Sequence, residues 1–180
     1  MNQYKPFMLR WITENTCNHA SVVEFGCMFG ARFKFVHSSV KNRIGIEIFK
    51  PYLDDAVEEF TKIHGDMCSY NTLVDIKYHD CALFIDSIEH IEKEDGIALL
   101  KRVQKTFNKI LLITPDGYFK FDCDLHGYGS HETQRHKCGW TKEDLEKLGF
   151  KVFIIDKFHP PSDINPRGCI FATWEKPLND

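Results

Sequence analysis

The chain has 180 residues, 43% of them hydrophobic and 27% charged, with a formal net charge of -3 and a pI near 6.3. That length suits a single domain over residues 1–180 with a sizeable core, and the acidic balance argues against a broad basic surface, so nucleic acid is not the expected partner. No apolar run is long enough to span a bilayer, residues 1–6 lack a signal peptide's apolar core, and the seven cysteines never form a CxxC pair. They read as reduced thiols, and a cytoplasmic protein without membrane contact is expected.

Apolar runs alternate with amphipathic ones almost to the end of the chain. A helix is predicted over residues 5–15, then a strand over 21–26 that carries Glu24 and stops at Gly26. A second strand covers 43–48, with Glu47 near its end, and Pro51 opens a helix with Asp54 and Asp55 close by. A short strand at 63–67 and a strongly apolar one at 81–86 follow. Helical spacing of Ile97, Leu100, Val103 and Phe107 predicts a helix over 94–107, and the run at 109–115 is a fifth strand. Thr141-Lys142-Glu143-Asp144 has the form of a helix start and Gly149 of a stop. Strands at 151–157 and 169–174 are joined by a helix-free segment holding Pro160 and Pro161, which predicts a hairpin and therefore an antiparallel last strand.

Most of these strands are unbroken apolar runs, as expected where both faces of a sheet are covered. The pattern predicts an α/β fold: a doubly wound, Rossmann-like sheet of seven strands, mostly parallel, with an antiparallel C-terminal hairpin strand. The longest stretch without predicted structure, 116–139, follows the fifth strand directly. It contains Phe119, Phe121, Tyr128, His126, His131 and His136, and is read as a binding loop.

The chemistry concentrates at the ends of the first two strands. In Glu24-Phe25-Gly26-Cys27-Met28-Phe29-Gly30 the glycines allow a sharp turn close to a ligand. Glu47 ends the next strand, where a carboxylate can accept hydrogen bonds from both ribose hydroxyls. The chain lacks both the GxGxxG of a dinucleotide site and the GxxxxGK[ST] of a triphosphate site.

With Gly65-Asp66-Met67, with Asp86-Ser87-Ile88-Glu89-His90 after the fourth strand, and with Thr114-Pro115-Asp116-Gly117 after the fifth, the order of elements resembles the class I S-adenosylmethionine-dependent methyltransferases over nearly the whole chain. Met28 departs from that pattern, standing where many members have a glycine. The resemblance implies an enzyme that uses S-adenosylmethionine and releases S-adenosylhomocysteine. It implies cofactor contacts from Glu24, Gly26, Cys27, Gly30, Glu47, Ile48, Asp66, Met67, Asp86 and Ser87. The tail, His136 with Gly139-Trp140, resembles a small-molecule subgroup.

Methyl transfer to a hydroxyl asks for alignment, exclusion of water and a base. Candidates near the strand ends are His90, Asp86, His126, His131 and His136; histidine titrates near neutrality, and the resemblance implies His136 first and His90 next as the catalytic residues. The expected acceptor is a small molecule, with O-methylation of a sugar-linked or secondary metabolite. Alternatives are N- or C-methylation, an RNA- or protein-directed enzyme, and a silent cofactor-binding module. His126, His131 and His136 recur every five residues, beside Cys123, Asp124 and Cys138. That is no recognised zinc spacing, and no metal is expected. Without a separate cap domain, the lid is expected from the N-terminal helix and the 116–139 loop, or from a second subunit, and the 116–139 loop is expected to change conformation when cofactor and substrate bind. A homodimer is compatible with the predicted helices and edge strand.

Overall fold

The computed structural model describes residues 5–56, 59–74, 76, 79–118, 120–121, 127–129, 131–158 and 168–177. In chain order the elements are α1 (Lys5–Thr16), β1 (Ser21–Phe25), β2 (Asn42–Glu47), α2 (Lys50–Asp54), β3 (Thr61–His64), α3 (Tyr70–Val74), β4 (His79–Ile85), α4 (Lys93–Thr106), β5 (Phe107–Pro115), α5 (Lys142–Lys147), β6 (Lys151–Ile155) and β7 (Cys169–Glu175). Short 3-10 turns at Phe33–Phe35, Ile88–His90 and Glu132–Gln134 lie between them.

The strands form one sheet in the order β3-β2-β1-β4-β5-β7-β6. β1 to β5 run parallel, while β7 is antiparallel to both β5 and β6. This is the predicted doubly wound sheet with its antiparallel hairpin. The continuous apolar runs are explained by burial on both faces. Along β4 and β5 successive side chains alternate between two cores. Ala82, Phe84, Ile110 and Leu112 pack with α4 and Trp140, while Cys81, Leu83, Leu111 and Ile113 pack with Trp11 and Ile12 of α1. Phe25 stacks on Phe84 with ring centroids 4.5 Å apart, joining β1 to β4.

The boundaries differ from the sequence expectation where polar turns override apolar runs. β3 ends at His64 instead of continuing to residue 67. The Gly65 amide donates to the Glu47 carbonyl, and the Cys68 amide donates to the Asp66 carboxylate, so Gly65–Cys68 forms a turn. α4 passes straight into β5 at Phe107, two residues before the predicted strand start. The Pro51 helix is only five residues long, and α3 carries no periodic signal in so short a run. α5 starts on the expected capping box, with Thr141 and Asp144 bonding each other's backbone amides. Of the segment joining β6 to β7, residues 159–167 lie outside the described residues. No helix among the described residues is long and apolar enough to cross a membrane.

Candidate active site

Strand order reverses between β1 and β4: β2 lies on one side of β1 and β5 on the far side of β4. In an open parallel sheet, the crevice at the carboxyl ends of such strands is where ligands bind. The turn after β1 closes one side of it. The amides of Gly26 and Cys27 both donate to the Ile46 carbonyl, at 2.9 and 3.0 Å. Gly26, Met28 and Gly30 all have positive φ. Met28, the departure from the family pattern, therefore occupies a left-handed position at φ 50°. The site favours glycine, and a stabilising bond accompanies the strain: the Met28 amide donates to Glu47 Oε2 at 2.9 Å.

Glu47 is thus a hub. Its Oε1 accepts from the Phe49 amide at 2.9 Å, and burial raises its pKa against the pull of those amides. Gly26 is required by a close approach as well as by φ. A Cβ there would lie 2.7 Å from Ser87 Cβ.

A cavity of about 200 Å³ opens between these elements. Its wall includes Gly26, Glu47, Ile48, Asp66, Met67, Asp86, Ser87 and His90. The other predicted residues lie outside that wall. Glu24 is fully buried under the turn, with both carboxylate oxygens lacking a hydrogen-bond partner, and burial pushes its pKa up to about 7. Cys27 is buried against Gly45, which raises its thiol pKa far above the ordinary value. Gly30 faces the ring of Phe60 rather than the cavity, so its lack of a side chain makes room for an aromatic.

Asp86 also has a positive φ, 49°, and its amide donates to the Ile113 carbonyl. Its Oδ2 pairs with Arg32 Nη2 at 3.2 Å. Sequence reasoning missed Arg32, because nothing in a linear reading places it beside the end of β4.

The acceptor side is built on the 3-10 turn at Ile88–His90. Glu89 is buried, accepts from Thr114 Oγ1 at 3.0 Å through Oε2, and has no partner for Oε1. Burial and the nearby Asp86 charge raise its pKa. The loop after β5 returns to this turn, with the amides of Lys137 and Cys138 both donating to the Glu89 carbonyl. That return brings His136 beside His90, with ring centroids 4.8 Å apart, and stacks it on Phe121 at 5.0 Å. His90 Nδ1 lies 3.2 Å from the Arg135 carbonyl, and burial lowers its pKa.

One possible ligand atom from each of Glu89, His90 and His136 lies within 4.8 Å of the others. Two imidazoles and a carboxylate form a donor set suited to a divalent first-row cation. This group is not the five-residue histidine series considered from the sequence. His126 lies outside the described residues. His131 packs against Phe49, ring centroids 4.6 Å apart and tilted, and caps the 3-10 turn by accepting from the Thr133 amide. The available signal was the Asp86-x-x-Glu89-His90 spacing, but no local rule brings in His136.

The loop ends are pinned together. The Gly117 amide donates to the Trp140 carbonyl at 2.7 Å, and Lys93 Nζ sits 4.0 Å over the Trp140 ring while bonding Gly139 and Asp144. Between these points Thr133, Gln134 and Lys137 complete the cavity wall. Tyr128 packs on Tyr52 and hydrogen-bonds Asp55.

No protein-family model matches the sequence, and no curated protein matches it. Solved structures do match its fold. The N-terminal domain of EvdMO1 with S-adenosylhomocysteine bound has a TM-score of 0.68 at 13% identity, over 95% of this chain and 80% of that one. The methyltransferase domain of bacterial CtHen1 gives 0.63 at 16%, over 97% and 98%. CalS10, an amino pentose methyltransferase from Micromonospora echinaspora, gives 0.59 at 12%, over 96% and 90%. The chain therefore has the fold of the class I S-adenosylmethionine-dependent methyltransferases.

Proposed function

We propose that the protein is an S-adenosylmethionine-dependent methyltransferase whose acceptor is a hydroxyl on a sugar. One observation carries the reading: the carboxylates of Glu47, Asp66 and Asp86 share one cavity with His90, which adjoins His136 and Glu89. The cavity fits the cofactor's chemistry. Glu47 suits a ribose diol, Asp66 and Met67 the adenine edge, and Asp86 and Ser87 an ammonium group. Glu24, Cys27 and Gly30 act from beneath, holding the turn that carries Gly26 and Met28. When bound, the cofactor supplies a methyl group made electrophilic by a sulfonium.

Burial lowers the pKa of His90, which favours its uncharged form, and His136 stands beside it to orient the acceptor hydroxyl or take its proton. Phe121 stacks on the His136 ring and fixes its position beside His90. A hydroxyl acceptor is supported by the two histidines. A sugar is supported by one structural neighbour, CalS10, an amino pentose methyltransferase.

The test begins with calorimetric binding of S-adenosylmethionine and S-adenosylhomocysteine, with NAD as control, to wild type and Glu47→Ala. Binding lost in the variant supports the assignment. Transfer of labelled methyl is then measured against free sugars, glycosides and an RNA oligonucleotide. Cofactor binding with no transfer to any of them would favour the silent module.

The convergence of Glu89, His90 and His136 favours a second reading of the acceptor side, as a divalent-cation site. A bound cation there would act as a Lewis acid toward a vicinal diol. Transfer abolished by a chelator and restored by manganese or cobalt would support it. Transfer indifferent to the chelator would leave the histidines as bases.

A further inference from the structure

The segment 134–137 is fitted around His90. His90 Nδ1 donates to the Arg135 carbonyl at 3.2 Å, since a carbonyl can only accept. The His136 ring stands beside the His90 ring, and the Lys137 amide donates to the Glu89 carbonyl at 2.9 Å. With the backbone held at these points, the side chains it sends to the cavity wall, Gln134 and Lys137, start from fixed positions beside the two histidines.

Lys137 is the one lysine or arginine on that wall among the described residues. Among the same residues, neither its ammonium nor the Gln134 amide forms a hydrogen bond or an ion pair. Its charge is felt at the His90 ring and at the Cys68 thiol, on two sides of the cavity. Three carboxylates of the wall are engaged elsewhere: Glu47 by the Met28 and Phe49 amides, Asp66 by the Cys68 amide, and Asp86 by Arg32. Glu92 and Asp95, where α4 begins, also reach the wall but are exposed and form no ion pair with Lys137.

An ammonium offers three donors and no acceptor, and a glutamine amide adds two more. Side by side they match an oxyanion, whose hydrogen bonds to a charged donor are the stronger kind. A neutral sugar leaves the ammonium without a counter-charge.

Resting on the methyltransferase reading above, we propose that the acceptor is an anionic sugar, its carboxylate or phosphate held by Lys137 and Gln134 while its hydroxyl meets His90 and His136. Lys137 is then the residue that selects the charged acceptor over its neutral counterpart. The simpler alternative is that Lys137 only offsets the exposed charges of Glu92 and Asp95.

Three probes separate these: glucose, glucuronate and glucose 6-phosphate. Their affinities are measured by calorimetry at low ionic strength, with the protein saturated by S-adenosylhomocysteine, on wild type, Lys137→Gln and Lys137→Arg. The Lys137 side chain is exposed and unpartnered among the described residues, so both variants keep the fold, as circular dichroism checks. Wild type is expected to bind at least one of the two anions about tenfold or more tightly than glucose, the low end for a charge-assisted hydrogen bond. The anion preferred identifies the group as carboxylate or phosphate. In Lys137→Gln the preference falls to within about threefold, and Lys137→Arg retains most of it.

No preference for either anion in wild type, or one that survives in Lys137→Gln, overturns the proposal. A loss of S-adenosylhomocysteine affinity beyond about threefold in Lys137→Gln also overturns it, and assigns the ammonium to the cofactor. Wild type that fails to bind S-adenosylhomocysteine at all would instead overturn the methyltransferase reading.

Discussion

Gly26→Ala adds one methyl group at the point where β1 turns into the cavity. Two costs follow from the structure. The backbone has φ +74°, and placing a side chain in the left-handed region costs about 1–2 kcal/mol. The new Cβ would lie 2.7 Å from Ser87 Cβ, an atom fixed to the backbone of a buried residue rather than the tip of a flexible chain. Overpacking of that kind costs about 1–3 kcal/mol. Together these give about 2–5 kcal/mol, and at about 2–4 °C per kcal/mol for this size the melting temperature falls by about 4–20 °C.

Gly129→Ala is the control. It has φ +84° but nothing within 4 Å of the added atom, so it bears the conformational cost alone. Differential scanning calorimetry of both variants isolates the contact with Ser87. If Gly26→Ala melts no lower than Gly129→Ala, the approach of the turn to the end of β4 is not what selects glycine at position 26.

Glu47→Ala should lower the melting temperature as well as cofactor affinity, since the Met28 and Phe49 amides lose their acceptor at about 1–3 kcal/mol each if left unsatisfied. Glu47→Gln, keeping one acceptor oxygen, should recover part of the stability; full stability in the alanine variant would count against the hub. Glu24 titrates near 7 when folded and near 4.5 when unfolded, so between those values the native state holds a proton that the unfolded chain has released. Stability should therefore fall as pH rises through that window, by up to about 1.4 kcal/mol per pH unit for this group. Melting curves of Glu24→Gln between pH 5 and 7 should be flatter than wild type, and identical slopes would contradict the assignment. Thr133, Gln134 and Lys137 share the cavity wall with Glu47, so S-adenosylhomocysteine should slow proteolytic cleavage within residues 116–139. Equal digestion with and without it would remove the case for a closing loop.

The sheet was legible in the sequence because burial on both faces leaves a simple mark. The unbroken runs around Val22, Leu83 and Leu111 pointed to strands covered by helices, and the helix-free Pro160-Pro161 segment favoured a hairpin over a crossover before the last strand. The acids at strand ends were legible for a related reason. Glu24, Glu47, Asp66 and Asp86 fall where apolar runs stop, and a parallel sheet puts those stops on one edge. What each acid does there was not legible. Glu47 clamps two backbone amides while facing the cavity, whereas Glu24 lies fully buried beneath the turn.

Only the tertiary structure brought His136 to His90 and Glu89, and Arg32 to Asp86. These contacts join segments far apart in sequence, and no periodicity records them. The histidine contact arises because the loop from Asp116 to Gly139 is pinned where it leaves and where it returns, at Gly117 and Trp140, and hydrogen-bonds the Glu89 carbonyl in between, whereas Arg32 meets Asp86 because β1 and β4 are neighbours in the sheet. Local spacing determines elements, because helix and strand are short-range geometries. The site is decided by packing, which selects among many chain paths the one that buries Trp140 and satisfies those amides.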